Sequence, residues 1–292
     1  MSAGRPPSGR DRAGADRSGA DHAGGDGAGG DCAGGDCAGG DCADGDCADG
    51  DCAGGDSSGG DCAGPAVAGP ARSGRDWVAW HDAYDDPGSP LAQRLLAVQA
   101  WIAVALDQAA PGPLRAVSIC AGQGRDLIGV LRDHPRRGDV SARLVELDPR
   151  NAATARQLAA DAGLTQVEVV TGDAAQTDAY AGLVPASIVL ACGLFGNITD
   201  KDVARTIRCC AGLCATGGTV VWTRGRREPD LIPQICEWFA GEGFELLGVS
   251  EPGTQWGVGA HRFAGTPAPL PAGERMFTFV GADVLRRKRS SS

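Results

Sequence analysis

Residues 116–127 read AVSICAGQGRDL, and this stretch limits what the chain can fold into more than any other. Val117 and Ile119 belong to an apolar run with the character of a buried strand. Ala121-Gly122-Gln123-Gly124 follows as a tight turn, and a helical pattern opens at Arg125. Strand, glycine turn and helix make a βα unit. Its turn lets a ligand reach the backbone where a Cβ would block it, and the helix start offers free N–H groups. The turn runs Gly122-x-Gly124-x-x-Leu127. A dinucleotide fingerprint needs a small residue where Leu127 stands, which counts against a nicotinamide or flavin ligand.

The 292 residues divide sharply in composition. The stretch to about Ser73 lacks Leu, Ile and Phe, and an Asp recurs every five residues from Asp11 to Asp61. Cys32, Cys37, Cys42, Cys47, Cys52 and Cys62 join that repeat. A pentapeptide solenoid needs a large apolar residue in each unit, and none is present. Gly, Ala and Asp cannot bury enough surface to offset chain entropy, so a disordered tail is expected. The uniform C-x4-C spacing does not match the short spacings of structural zinc sites, and no metal is expected. Residues 1–65 hold 13 Asp against four Arg, so nearly all of the net charge of −10 lies there. The rest is close to neutral, which gives no footprint for a nucleic-acid partner. With no apolar run of about 20 residues and no secretory h-region, neither a membrane span nor export is expected, and the reading is a cytoplasmic protein with reduced thiols. Two Lys among 27 basic residues suggest a GC-rich bacterial coding sequence.

The remaining segments alternate. Trp77, Trp80, His81 and Tyr84 form an aromatic cluster before a turn at Asp85–Gly88. Ser89-Pro90 then caps a helix with Leu91, Leu95, Val98, Ile102 and Leu106 at helical spacing, which ends near Pro111. A helix over 125–133 precedes a strand over 142–147, and an Ala-rich helix over 151–162 precedes a strand over 167–173. The apolar run 186–192 reads as a central strand, followed by a helix over 199–214 with Thr199 as N-cap, a strand over 219–223 and a helix over 230–240. FELLGV, GVGAHRFAG (257–265) and RMFTFV (275–280) read as strands at the far edge. The expected organisation is a tail and linker (1–75), a helical cap (76–113), an α/β domain (114–284) and a short basic end (285–292). The α/β part is a doubly wound, mostly parallel seven-stranded sheet with an antiparallel edge, and its ligand sits at the strand C-termini.

Three motifs resemble the class I S-adenosylmethionine (SAM)-dependent methyltransferases. Ala121-Gly122-Gln123-Gly124 is similar to motif I, Glu146 with Pro149 three residues on is similar to motif II, and Gly172-Asp173-Ala174 is similar to the family's third-strand end. Glu146 lies 22 residues after Gly124, near the spacing of a ribose-binding acid. The resemblance spans roughly residues 115–263. It implies SAM held by Ala121, Gly122, Gln123, Gly124, Asp126, Glu146, Leu147, Asp173, Ala174, Cys192 and Gly193. Glu146 would take the ribose hydroxyls and Asp173 the adenine amino group. Where the family usually has an acid, this chain has Ser118, so Asp126 is a candidate for the bonds to the methionine part. The Asn-Pro-Pro-Tyr or Asp-Pro-Pro-Tyr sequence of some amino methyltransferases is absent, which argues against adenine or glutamine-amide acceptors.

The expected reaction is methyl transfer from SAM to a small-molecule acceptor. Candidate catalytic residues are His81, Tyr84 and Asn197, with His261 a further base by residue type and His134 expected at the surface. Arg224, Arg226 and Arg227 follow the fifth strand, where they either meet an acidic substrate or stand as solvated loop charges. Cys209, Cys210 and Cys214 read as small hydrophobes, because Cys209 points away from the other two on a helix. The alternatives are an NAD(P)-dependent oxidoreductase and a SAM-binding protein without catalysis.

Overall fold

The computed structural model describes residues 75–290. The acidic repeat and its six cysteines lie outside the described residues.

The chain begins with a short helix, α1 (Trp77–His81), and a 3-10 turn over Asp82–Asp85. The long helix α2 (Pro90–Gln108) follows, with Ser89 accepting from the Ala92 N–H at its start. Five parallel strands then alternate with helices: β1 (Leu114–Ile119), α3 (Leu127–Leu131), β2 (Val140–Glu146), α4 (Pro149–Asp161), β3 (Val167–Thr171), β4 (Ala186–Ala191), α5 (Asp200–Leu213) and β5 (Cys214–Gly225). Helix α6 (Ile232–Gly241), β6 (Phe244–Val249), β7 (Trp256–Phe263) and α7 (Ala282–Ser290) complete it. The sheet order is β3-β2-β1-β4-β5-β7-β6, and β7 runs antiparallel to both its neighbours. The order reverses between β1 and β4, and a ligand crevice forms at the C-terminal ends of strands beside such a switch.

Successive side chains of a strand face opposite ways, so a sheet covered on both faces needs continuous apolar strands. Val117, Ile119, Val189 and Ala191 enter one core with α5 and α6. Ala116, Ile188 and Leu190 enter the other with α2, α3 and α4. Helix α4 buries Ala152, Ala155 and Ala159, whose small side chains let it lie close on β2 and β3.

Several expectations change. Residues 275–280 are not an edge strand. Pro267, Pro269 and Pro271 cannot donate to a ladder, and the edge is already held by the β6–β7 pair. The segment instead crosses the strand ends as a strap. Met276 N donates to Ala175 O at 2.8 Å, and Val280 N and Gly281 N both donate to Asn197 O at 2.9 Å. Residues 285–290 of the expected basic end belong to α7, which starts at Ala282, where the backbone N–H donates to Asn197 Oδ1. Helix α3 is shorter than expected, because the Asp126 carboxylate takes the Leu127 N–H and opens it later. The fifth strand begins directly out of α5 at Cys214.

His134 is half-buried, with its ring more covered than expected. Its ring is packed against the end of α2, with Nε2 3.2 Å from Asp107 and Nδ1 accepting from the Arg136 N–H. Cys210 and Cys214 are buried and Cys209 is half-buried against the same core. Among the described residues no group of His, Cys, Asp and Glu could hold a metal ion. No single described helix is long and apolar enough to cross a membrane. The α1 region and α2 pass such a test only as a pair bent by 79°, and Val98, Ile102 and Leu106 of α2 are buried in the core beside the sheet.

His261 is fully buried beside Trp222 and Phe239, stacked 4.4 Å from the Phe239 ring. Trp222 Nε1 donates to its Nδ1 at 3.1 Å, so the proton sits on Nε2, which has no partner. It does not line the ligand cleft and is no candidate base. Burial pushes its pKa down to about 4. An unfolded histidine protonates near 6.5, so the native state binds this proton later than the unfolded chain does. His261 therefore contributes stability that is present above about pH 6.5 and is lost as pH falls toward 4. Urea unfolding should lose roughly 2–4 kcal/mol over that window, and His261→Phe should remove most of that slope.

Candidate active site

The C-terminal ends of β1, β2, β3, β4 and β5 open into one cleft of about 1250 Å³. Every residue singled out above for the donor, together with His81, Tyr84 and Asn197, lines it.

The glycine turn forms one wall. Gly122 and Gly124 have φ of 56° and 66°, the left-handed region that a Cβ disfavours. A Cβ on Gly122 would lie 2.6 Å from His81 Nε2, and one on Gly124 would lie 2.5 Å from a Leu144 methyl. Cys120 also takes a positive φ, 54°, without being glycine. The turn is locked to the second strand by Glu146. Its Oε2 accepts from the Gly122 N–H and its Oε1 from the Asp148 N–H, both at 2.8 Å. Each oxygen keeps further acceptor capacity, which two vicinal hydroxyls can use. Burial pushes the Glu146 carboxyl above its ordinary value, against the pull of those two N–H groups.

Asp173 stands at the end of β3. Its Oδ1 accepts from the Ala175 N–H at 3.0 Å, and Arg275 of the strap holds its Oδ2. Leu147 is exposed and gives the cleft an apolar surface beside Glu146. Asp126 is buried beside Arg94, and burial raises its carboxyl above the ordinary value. The thiols of Cys120 and Cys192 are pushed well up by burial, so they act as neutral apolar walls. Gly193 N donates to Thr223 Oγ1 at 2.7 Å, which ties the β4 loop to β5.

His81 leaves α1 with Nδ1 2.5 Å from Trp77 O, so Nδ1 carries the proton and donates it to that carbonyl. Nε2 is then a lone pair directed at Gly122. Burial lowers its pKa, helped by the charges of Arg125 and Arg94 and opposed by the Trp77 bond. Tyr84 packs 5.5 Å from the His81 ring, and burial raises its phenol above the ordinary value. It is a neutral donor rather than a base. Asn197 has both ends of its amide in use: Nδ2 donates to Gly193 O and Oδ1 accepts from Ala282 N. It holds the β4 loop to the strap and α7.

Of the three arginines at the end of β5 and just beyond it, Arg224 lies within the strand, buried against Phe195 O with Asp200 3.8 Å away, and Arg226 pairs with Asp230. Arg227 is exposed and lines the cleft. Residues not foreseen from the sequence also line it: Arg94, Leu95, Thr223, Phe277, Phe279 and Leu285. Only the helical spacing of Arg94 with Val98 could have signalled one of them.

A family model described as "Putative methyltransferase" (Methyltransf_20) matches residues 90–235, half of the chain. The chain belongs to this methyltransferase family. Among solved structures, the CurJ carbon methyltransferase aligns at 17% identity over 65% of this chain and 59% of that chain, with a TM-score of 0.52. This chain thus spans less than two thirds of that protein's length. Magnesium protoporphyrin IX methyltransferase from Synechocystis PCC 6803, with bound SAM, aligns at 16% identity over 64% and 90%, with a TM-score of 0.49. An O-methyltransferase family protein from Burkholderia thailandensis aligns at 15% identity over 64% and 69%, with a TM-score of 0.46. No curated protein matches. The fold is that of the class I methyltransferases, and the oxidoreductase alternative falls with the family assignment.

Gly122→Ala should drive His81 off the turn and strain the backbone by about 1–2 kcal/mol. The expected result is a lower melting temperature together with loss of methyl-donor binding, measured by differential scanning fluorimetry with and without S-adenosylhomocysteine.

Proposed function

We propose that this chain transfers the methyl group of SAM to a small-molecule acceptor, with the donor held at the β1–β3 side of the cleft. The observation that carries this reading is the link from Gly122 N to Glu146 Oε2. It places the glycine turn and the β2 acid in one wall of the cleft that Asp173 also lines. In this reading Glu146 takes the ribose hydroxyls and Asp173 with Ala174 borders the adenine. The turn backbone of Ala121–Gly124 and the buried Asp126 face the methionine part. When bound, SAM supplies a sulfonium methyl open to in-line displacement.

The chain's own residues then align the acceptor and exclude water, which is most of what such a displacement requires. His81 Nε2, neutral and facing the turn, is the group that takes a proton from an acceptor hydroxyl. Tyr84 donates a hydrogen bond beside it. Asn197 acts as a positioning residue, because its amide is committed to the loop and α7.

Glu146→Ala removes a charged acceptor and leaves two backbone N–H groups without a partner. Affinity for S-adenosylhomocysteine by calorimetry should fall about 10–100-fold; unchanged affinity contradicts the ribose assignment. With a hydroxyl acceptor, the methylation rate should stay level down to the ordinary histidine value of about 6.5 and decline only below it, because the His81 pKa is depressed. His81→Gln should cut the rate by about 100-fold or more and abolish that acid limb. A limb that persists at the same pH in the variant assigns it to another group.

A further inference from the structure

The acid assigned above to the adenine side is held by a segment far along the chain. Asp173 Oδ1 accepts from the Ala175 N–H at 3.0 Å, and Oδ2 accepts from Arg275 Nη2 of the strap. Asp173 lines the cleft and Arg275 does not, so the guanidinium meets the carboxylate without entering the ligand space. The backbone around Arg275 is fixed on both sides. Met276 N donates to Ala175 O at 2.8 Å, Thr177 N donates to Glu274 O at 3.0 Å, and Glu274 N donates to Thr177 Oγ1 at 3.1 Å. Just before them, Gly273 N donates to Asp178 Oδ1 at 2.9 Å and Thr177 Oγ1 donates to Pro271 O at 2.6 Å. Met276 and Phe277 then bury their side chains in the same core as Ala174 and Ala175. Residues 271–277 are thus bound along the loop that carries Asp173.

Both partners of the Arg275–Asp173 pair are partly exposed, so the pair adds little to stability. It does fix the direction of the carboxylate. An ionised carboxylate has about four acceptor positions, and those not taken by Ala175 and Arg275 remain for a ligand. With only the Ala175 N–H to hold it, the side chain would have to be ordered when the ligand binds. Anchored at both oxygens, it meets an amino group already oriented, and such pre-organisation raises affinity. An arginine inside the cleft would instead compete with the ligand for the same oxygens.

Resting on the donor assignment above, we propose that Arg275 is a positioning residue for the methyl donor, which acts through Asp173 to select a purine with a 6-amino group. The strap then completes the donor site, although it lies beyond the residues 90–235 that match the methyltransferase family.

The test uses the full chain and two ligands titrated by calorimetry: S-adenosylhomocysteine and its purine analogue without the 6-amino group. The wild-type chain should bind S-adenosylhomocysteine about tenfold tighter or more, as a hydrogen bond to a charged group implies. Arg275→Ala should reduce that preference to about threefold or less, by weakening S-adenosylhomocysteine while the analogue binds as before. Arg275→Gln, which keeps much of the length without the charge, should do the same, and Arg275→Lys should restore part of the preference. Asp173→Ala should abolish the preference, and Arg275→Ala added to it should change nothing further. A preference that survives Arg275→Ala and Arg275→Gln, or grows in them, overturns the inference. Equal weakening of both ligands gives the strap a structural role alone and also overturns it. A wild-type chain that binds both ligands equally overturns the adenine assignment of Asp173 on which the inference rests, and one that binds neither overturns the donor assignment itself.

Discussion

The carboxylate of Glu146 is the point from which the active-site end of this molecule is built. It reaches from the last residue of β2 to the backbone N–H of Gly122 and to that of Asp148. One side chain therefore fixes the turn after β1 and the start of α4 together. The two strands are parallel neighbours in register, so their C-terminal ends arrive side by side and the carboxylate has only a loop's width to cross. That contact acts together with the Ala121 N–H, which donates to Val145 O of β2 at 3.0 Å.

Around this link the cleft is closed by segments from both ends of the described chain. The first helix brings His81 against Gly122, and Asp76 and Asp85 tie that region to Arg150 and Arg125. Such exposed ion pairs contribute little stability each. Their value is in setting the angle at which the aromatic cluster faces the turn. The strap and α7 are held through Asn197, whose amide and carbonyl oxygen receive or give bonds to Gly193, Val280, Gly281 and Ala282. The residues proposed to hold the donor lie at the strand ends of the sheet, and those proposed to face the acceptor come from segments added before it.

That division explains what the sequence disclosed. The parallel core was legible because continuous apolar strands, capped helices and the Gly122–Gly124 turn are local signals with a fixed period. Glu146 was legible at a strand end by its spacing from Gly124, and Asp173 by the Gly172-Asp173 pair at the end of the third strand. Segment 275–280 misled, because its apolar alternation satisfies a strand pattern equally well when it crosses the strand ends, and only the prolines before it hinted otherwise. His261 and His134 misled because residue type says nothing of burial. Asn197 lines the cleft as expected, but its amide is spent on scaffold bonds that depend on a chain segment 85 residues away. Arg94, Phe279 and Arg227 line one cleft from separate parts of the chain, so no spacing announces them.

The central claim is that one cleft gathers the glycine turn, Glu146 and Asp173 around a single adenosyl group. A crystal structure of the chain soaked with S-adenosylhomocysteine tests it most directly. The account predicts the ribose hydroxyls within hydrogen-bond distance of both Glu146 oxygens and the adenine edge beside Asp173 and Ala174. A ligand bound elsewhere, or with its ribose turned away from Glu146, would contradict it.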